Sequence, residues 1–86
     1  MGNSDRPSRK VMPKLLSKAV SIEEVVIDTV VEMTGHTPEE VSEAFSSSDC
    51  SNKLFKFSTE YYKNDINIII ADFARECVEK LKWQIL

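Results

Sequence analysis

The sequence predicts an all-α fold, a small bundle of about four helices carrying a disordered basic N-terminal arm. Three observations lead there. Apolar residues recur at the three- and four-residue spacing of a helix over 22–34 and again over 65–84. Helix-start signals stand at Ser21 and Thr37, and a helix-stop glycine stands at Gly35. Only Lys53-Leu54-Phe55-Lys56-Phe57 alternates like a strand, and nothing elsewhere offers it a partner, so a short helix or packed loop is expected there.

Residues 1–11 form the arm and 12–86 the single helical domain. The arm, MGNSDRPSRK, holds Gly2, Pro7 and no apolar group beyond Met1 to anchor it. Pro13 suits a first helical turn, because its missing N–H has no partner to lose there. Leu15, Leu16, Ala19 and Val20 then give a segment near 13–20 one short apolar face. Ser21-Ile22-Glu23-Glu24 reads as a capping box, with Val20 and Val25 as its flanking staple, and starts a helix over 22–34. Ile22, Val25, Val26, Val30 and Met33 form the inward stripe of that helix. Ile27 and Val31 widen the apolar arc, while Glu24, Asp28 and Glu32 line the opposite side. Thr37-Pro38-Glu39-Glu40 repeats the start signal for a helix over 38–46, whose inward residues are Val41, Ala44 and Phe45.

Ser46 to Asn52 is polar and reads as a loop holding Cys50. Ser58 would cap a last helix from 59, or Asn64 would restart it near 65. Tyr62, Ile66, Ile69, Ile70, Phe73, Cys77 and Leu81 keep one face over 59/65–84. Asp72, Arg75, Glu79 and Lys82 lie opposite, with Glu76 and Lys80 as a favourable pair.

The net charge of −3 conceals a segregation. Residues 1–20 carry Arg6, Arg9, Lys10, Lys14 and Lys18 against Asp5, a balance of +4. Residues 21–50 carry eight acids and no Lys or Arg, a balance of −8, and residues 51–86 add +1. Such blocks bear on partners rather than on fold. The simplest expectation is that the basic arm lies against the acidic middle of its own chain. The acidic surface is Glu24, Asp28, Glu32, Glu39 and Glu43; the basic arm is Arg6, Arg9, Lys10 and Lys14.

Catalytic and metal chemistry find little support. His36 is the only histidine, between two helices, and no residue nearby in sequence activates Cys50 or Cys77 as a nucleophile. Cys77 reads as a core residue and Cys50 as an exposed, reactive one. There is no CxxC, no histidine pair and no calcium-loop pattern, so neither metal nor cofactor is expected, and no small-molecule substrate. The longest apolar run, Ile68 to Ala71, is far too short to span a bilayer, and no apolar segment follows the first basic residues as a secretory signal would require. Met1-Gly2 is followed by Arg6 where a myristoylation motif wants Ser or Thr, so a membrane partner is not expected. Ser8, within R-P-S-R, suits a basophilic kinase. The setting expected is intracellular and cytoplasmic.

Residues 25–41, VVIDTVVEMTGHTPEEV, resemble the first helix and following loop of acyl carrier domains. That family carries phosphopantetheine on the Ser of a DSL-type motif. Here the nearest match is Asp49-Cys50-Ser51, followed by Asn52 and Lys53, and it falls too early after Gly35. The resemblance covers about a fifth of the chain. It implies a similar helical packing, or a carrier-like fold with no prosthetic group.

The function expected is a non-catalytic helical protein–protein interaction module, an adaptor or regulator whose partner is another protein or a second copy. A small core, a broad apolar arc on 22–34, and the ending Trp83-Gln84-Ile85-Leu86 support it. The expected contact residues are Ile27, Val31, Trp83, Ile85 and Leu86. The alternative is a non-specific nucleic-acid binder using the basic arm. Helix-turn-helix reading by 38–46 is not expected, since Glu39, Glu40 and Glu43 would repel phosphate.

Overall fold

The computed structural model describes the backbone from Arg6 to Leu86 and the side chains from Lys14 onward. Within these residues the fold is a small all-α bundle without strands. It comprises α1 (Arg6–Thr34), α2 (Pro38–Ser46), α3 (Asp49–Phe55) and α4 (Ile66–Leu81), with single 3₁₀ turns at Phe57–Thr59 and Tyr61–Lys63.

The first departure from expectation is α1. It is one helix of 29 residues, unbroken at Ser21, and its first turn already holds Pro7. The helix therefore begins before the boundary expected near 13. Continuity at Ser21 follows from the buried face: Ala19, Val26 and Val30 are all fully buried, and they stand seven and four residues apart. That spacing keeps a single helical register through Ser21, so the S-x-x-E signal is overridden by packing. Val25 lies off this face and is 47% exposed, contrary to its expected place in the inward stripe.

Along the continuous helix, Lys14 of the basic arm stands apart from Glu24. A rise of about 1.5 Å per residue puts Lys14 and Glu24 roughly 15 Å apart along the rod. Arg6, Ser8, Arg9 and Lys10 lie outside the residues whose side chains are described.

The turn after α1 matches its sequence signals. Gly35 takes a left-handed φ of +78°, and its N–H returns to the Val31 carbonyl at 2.8 Å. The buried Thr34 hydroxyl donates to the Val30 carbonyl at 2.8 Å. Thr37 then caps α2: its Oγ1 accepts the Glu40 N–H at 3.2 Å, and Glu40 Oε1 accepts the Thr37 N–H at 3.0 Å. These bonds, led by the Thr37 backbone, hold the Glu40 carboxyl below its usual range.

The serine run 46–48, expected to open a loop, instead joins two helices. Ser48 Oγ donates to the Phe45 carbonyl at 2.6 Å and accepts the Ser51 N–H at 3.0 Å, closing α2 and starting α3. Cys50 and Leu54 of α3 are fully buried. Asp65 caps α4 by accepting the Asn67 N–H at 2.8 Å. The helix stops at Leu81, where Lys82 adopts a left-handed φ of 61° and the N–H of Trp83 returns to the Cys77 carbonyl at 3.1 Å. Leu81, expected on the inward stripe, is 46% exposed.

All four helices contribute to one core. Phe45 of α2 meets Phe73 of α4 edge-to-face, with centroids 5.0 Å apart at 83°. Val26 and Val30 of α1, Val41 of α2, Cys50 and Leu54 of α3, and Ile69 and Cys77 of α4 join the same cluster.

Two predictions follow from the helices. Phe45→Ala should cost about 3–5 kcal/mol, a large share of what so small a domain has, and urea unfolding would measure it. Thr37→Ala should cost about 1 kcal/mol as a lost cap, whereas Ser21→Ala should be neutral or stabilise by a few tenths of a kcal/mol. A loss at Ser21 equal to that at Thr37 would contradict the continuous α1.

Candidate interaction surface

The C-terminal turn brings together residues that are far apart in sequence. Because α4 ends at Leu81, Trp83 is not on a helix face, contrary to the expected helix to 84. It stacks instead on His36, with ring centroids 3.9 Å apart and 19° between planes. His36 Nδ1 in turn lies 3.3 Å from Glu40 Oε1, so the lone histidine is held between an aromatic ring and a carboxylate. The Leu86 N–H donates to the Met33 carbonyl at 2.6 Å, and the Leu86 side chain sits over Gly35. A side chain at Gly35 would crowd that leucine as well as strain the backbone.

This fixed backbone presents its apolar side chains outward. Ile85 is 45% exposed and Leu86 85% exposed. Beside them runs a groove of about 330 Å³ lined by Glu40, Glu43, Ala44, Ser47, Leu81 and Trp83. Its lining sets Ala44, Leu81 and Trp83 beside Glu40 and Glu43, so it is suited to an apolar anchor flanked by positive charge. The expected contact residues divide accordingly. Trp83, Ile85 and Leu86 share this end of the bundle, while Ile27 and Val31 are half-buried against the core. Glu24, Asp28, Glu32, Glu39 and Glu43 are all exposed.

The groove was missed from sequence because its two walls, α2 and the turn after α4, are about 40 residues apart. The signal in the sequence is the run of glutamates on α2, which by itself marks only an acidic surface.

The second polar constellation joins α3 to α4. Glu76 Oε1 and Oε2 accept the N–H groups of Asp49 and Cys50 at 3.0 and 2.8 Å. A carboxylate from α4 thus neutralises the exposed donors at the start of α3. Lys80 bridges the pair, reaching Asp49 at 2.8 Å and Glu76 at 3.4 Å. Its ammonium holds the Asp49 carboxyl below the usual range. Nearby, the Tyr61 hydroxyl donates to Asp72, and Cys50 Sγ lies 3.7 Å from that same hydroxyl. Burial, followed by the bond to Asp72, pushes the Tyr61 phenol well above its ordinary range.

Neither cysteine is placed for nucleophilic work. Cys50, expected in an exposed loop, is fully buried on α3, as is Cys77 on α4. Burial pushes both thiols up to about 11, the reverse of activation. His36 faces Trp83 and Glu40, away from both. Among the described residues no group of three His, Cys, Asp or Glu is positioned to hold a metal ion. No described helix is long and apolar enough to cross a membrane. Ser51, the nearest match to the carrier-type serine, is half-buried and lies within α3, where its N–H is bound to Ser48.

Comparison with protein-family models, curated proteins and solved structures returns no match.

Two measurements test this arrangement. Glu76→Ala should fray α3 and cost about 1–3 kcal/mol, because it strands two N–H donors at the helix start; hydrogen exchange at Asp49 to Ser51 should accelerate while α2 stays protected. The raised thiols make the fold base-labile. Their stabilisation is complete below the ordinary thiol value of 9 and is lost as pH rises towards 11. Each contributes about 2–3 kcal/mol on this scale. Denaturant midpoints should be flat to about pH 8 and fall beyond it, less steeply in Cys77→Ala.

Proposed function

We propose that this protein is a non-catalytic helical interaction module, acting as a small adaptor or regulator. One observation carries this reading. The turn after α4 is fixed by the Leu86-to-Met33 bond and the Trp83–His36 stack, yet it leaves Ile85 and Leu86 45% and 85% exposed. A backbone already ordered before binding loses less entropy on association, so exposed apolar groups on it are effective anchors. The adjacent groove adds Leu81 and Trp83 to the apolar contact and Glu40 and Glu43 to its rim. The partner that suits this end of the bundle is a protein surface with apolar side chains beside Lys or Arg.

The test compares the intact chain with an Ile85→Ser/Leu86→Ser variant. Light scattering over a concentration series measures self-association, and affinity capture from the native source followed by titration measures association with other proteins. The variant should weaken association by about tenfold or more, equivalent to losing roughly 1.4 kcal/mol or more at the contact. Equal association by both chains, or none by the intact chain in either assay, would overturn the reading.

A further inference from the structure

The groove beside Trp83 does not end at Leu81. A second cavity, of about 70 Å³, lies between Ala44, Ser47 and Ser48 on one side and Phe73, Cys77 and Leu81 of α4 on the other. Ala44, Ser47 and Leu81 line both spaces, so the two are compartments of one cleft between α2 and α4. A single water needs about 10–15 Å³ of such space, so the inner compartment has room for a branched aliphatic side chain.

The two compartments differ in chemistry. Each polar side chain of the inner one already has a partner within the chain. Ser48 Oγ donates to the Phe45 carbonyl and accepts the Ser51 N–H, and the Ser47 hydroxyl meets the carbonyls of Glu43 and Ala44. Both oxygens of Glu76 accept N–H groups of α3, and Lys80 pairs with Asp49 and Glu76. What remains to meet a guest is the Phe73 ring, the Cys77 side chain, the Ala44 methyl and Leu81.

The outer compartment has the opposite need. Glu40 and Glu43 line it, and among the described residues no Lys or Arg pairs with either. Residues 21–50 contain no Lys or Arg to supply one locally. Ala44 stands one residue after Glu43 and four after Glu40. At about 1.5 Å per residue, both glutamates are therefore within roughly 6 Å of Ala44 along α2.

We propose that this cleft binds a segment of another protein that presents a Leu, Ile or Met side chain beside a Lys or Arg. The aliphatic group enters the inner compartment, and the cation meets Glu40 and Glu43 at the outer one. A separation of roughly 6 Å between them is one turn of a helix or two residues of extended chain. A polar group in the inner compartment would find its potential partners already engaged, and an acidic flank would be repelled by the two glutamates. This assignment rests on the interaction-module reading and names the chemistry of the partner's contact.

A random peptide library displayed on phage and panned against the full chain tests it, with a Ser47→Phe variant as counter-target. Ser47 is exposed and lines both compartments, so a phenyl ring there fills the cleft from the surface. Circular dichroism should be unchanged; should the fold be disturbed, Leu81→Ser, at a site already 46% exposed, takes its place. Recovered peptides should share an aliphatic residue with Lys or Arg within about four positions. They should bind Ser47→Phe at least about tenfold more weakly than the natural chain. Glu43→Lys should weaken them about tenfold, and exchanging the peptide's base for Glu should restore binding to that variant. Raising salt from about 50 to about 500 mM should weaken binding to the natural chain, and much less so to Glu40→Gln/Glu43→Gln. Gln at position 40 still completes the α2 capping box.

Failure to enrich any peptide over the counter-target overturns the cleft assignment, as does a consensus lacking the aliphatic residue or the base. Association with protein from the native source that is lost in Ile85→Ser/Leu86→Ser, but unchanged in Ser47→Phe and Glu43→Lys, also overturns it and leaves the interaction-module reading standing. Indifference to all of these substitutions removes both.

Discussion

The buried line Ala19, Val26 and Val30 on α1 is the constraint on which the other elements depend. Helices α2 and α3 have only 9 and 7 residues, well short of the about 12–15 below which a helix is marginal in water by itself, and α4, with 16, is little beyond it. They persist because each turns an apolar face to the same surface: Val41 and Phe45 from α2, Leu54 and Cys50 from α3, Ile69, Phe73 and Cys77 from α4. α1 is thus the support, and the chain after Gly35 wraps along its C-terminal part. That geometry also leaves Lys14, Ser17, Ser21, Glu24, Asp28 and Glu32, opposite the core, exposed.

Polar contacts refine what the core assembles. Glu76 fastens α3 to α4 by accepting two N–H groups that a short helix cannot satisfy internally. Tyr61 and Asp72 tie the connection between them to the same helix, and Lys53 lies over the Tyr61 ring at 4.6 Å. At the other end, His36 and Trp83 join the α1–α2 turn to the turn after α4. The two ends differ in what they expose. The α3–α4 end satisfies its polar groups internally, whereas the His36 end leaves large apolar side chains outside.

What was legible in the sequence was what local chemistry decides. Gly35 and the Thr37–Glu40 box set their turn through contacts within four residues, and both were readable with their bounds. The inward stripes of α2 and the middle of α4 were readable because period alone defines them. Three misreadings share a cause of longer range. Ser21 carries the same signal as Thr37, but a buried face already running through it keeps the helix going. Asp49 to Asn52 reads as loop because the carboxylate that completes its helix start comes from Glu76, 27 residues beyond Asp49. Cys50 therefore reads as a solvent-exposed residue when it is in the core. Trp83 reads as part of a helix whose end at Lys82 no glycine announces, since a lysine takes the left-handed conformation there. The groove beside Trp83 needed both of the last two facts and was out of reach.

Ser21 also decides what the charge blocks mean. With a break there, the basic segment could swing back onto the acids that follow it, and the +4 of residues 1–20 would offset part of the −8 of residues 21–50 within one molecule. Without a break, Lys14 and Glu24 are fixed on one rod roughly 15 Å apart, beyond the Debye length of about 8 Å at physiological salt. At Lys14 the attraction to the acids of its own helix is then largely screened. The residue at which local signal and core packing conflict therefore determines more than a helix boundary. By yielding to the core, Ser21 leaves Lys14 on one side of it and Glu24, Asp28 and Glu32 on the other, all exposed on one continuous helix.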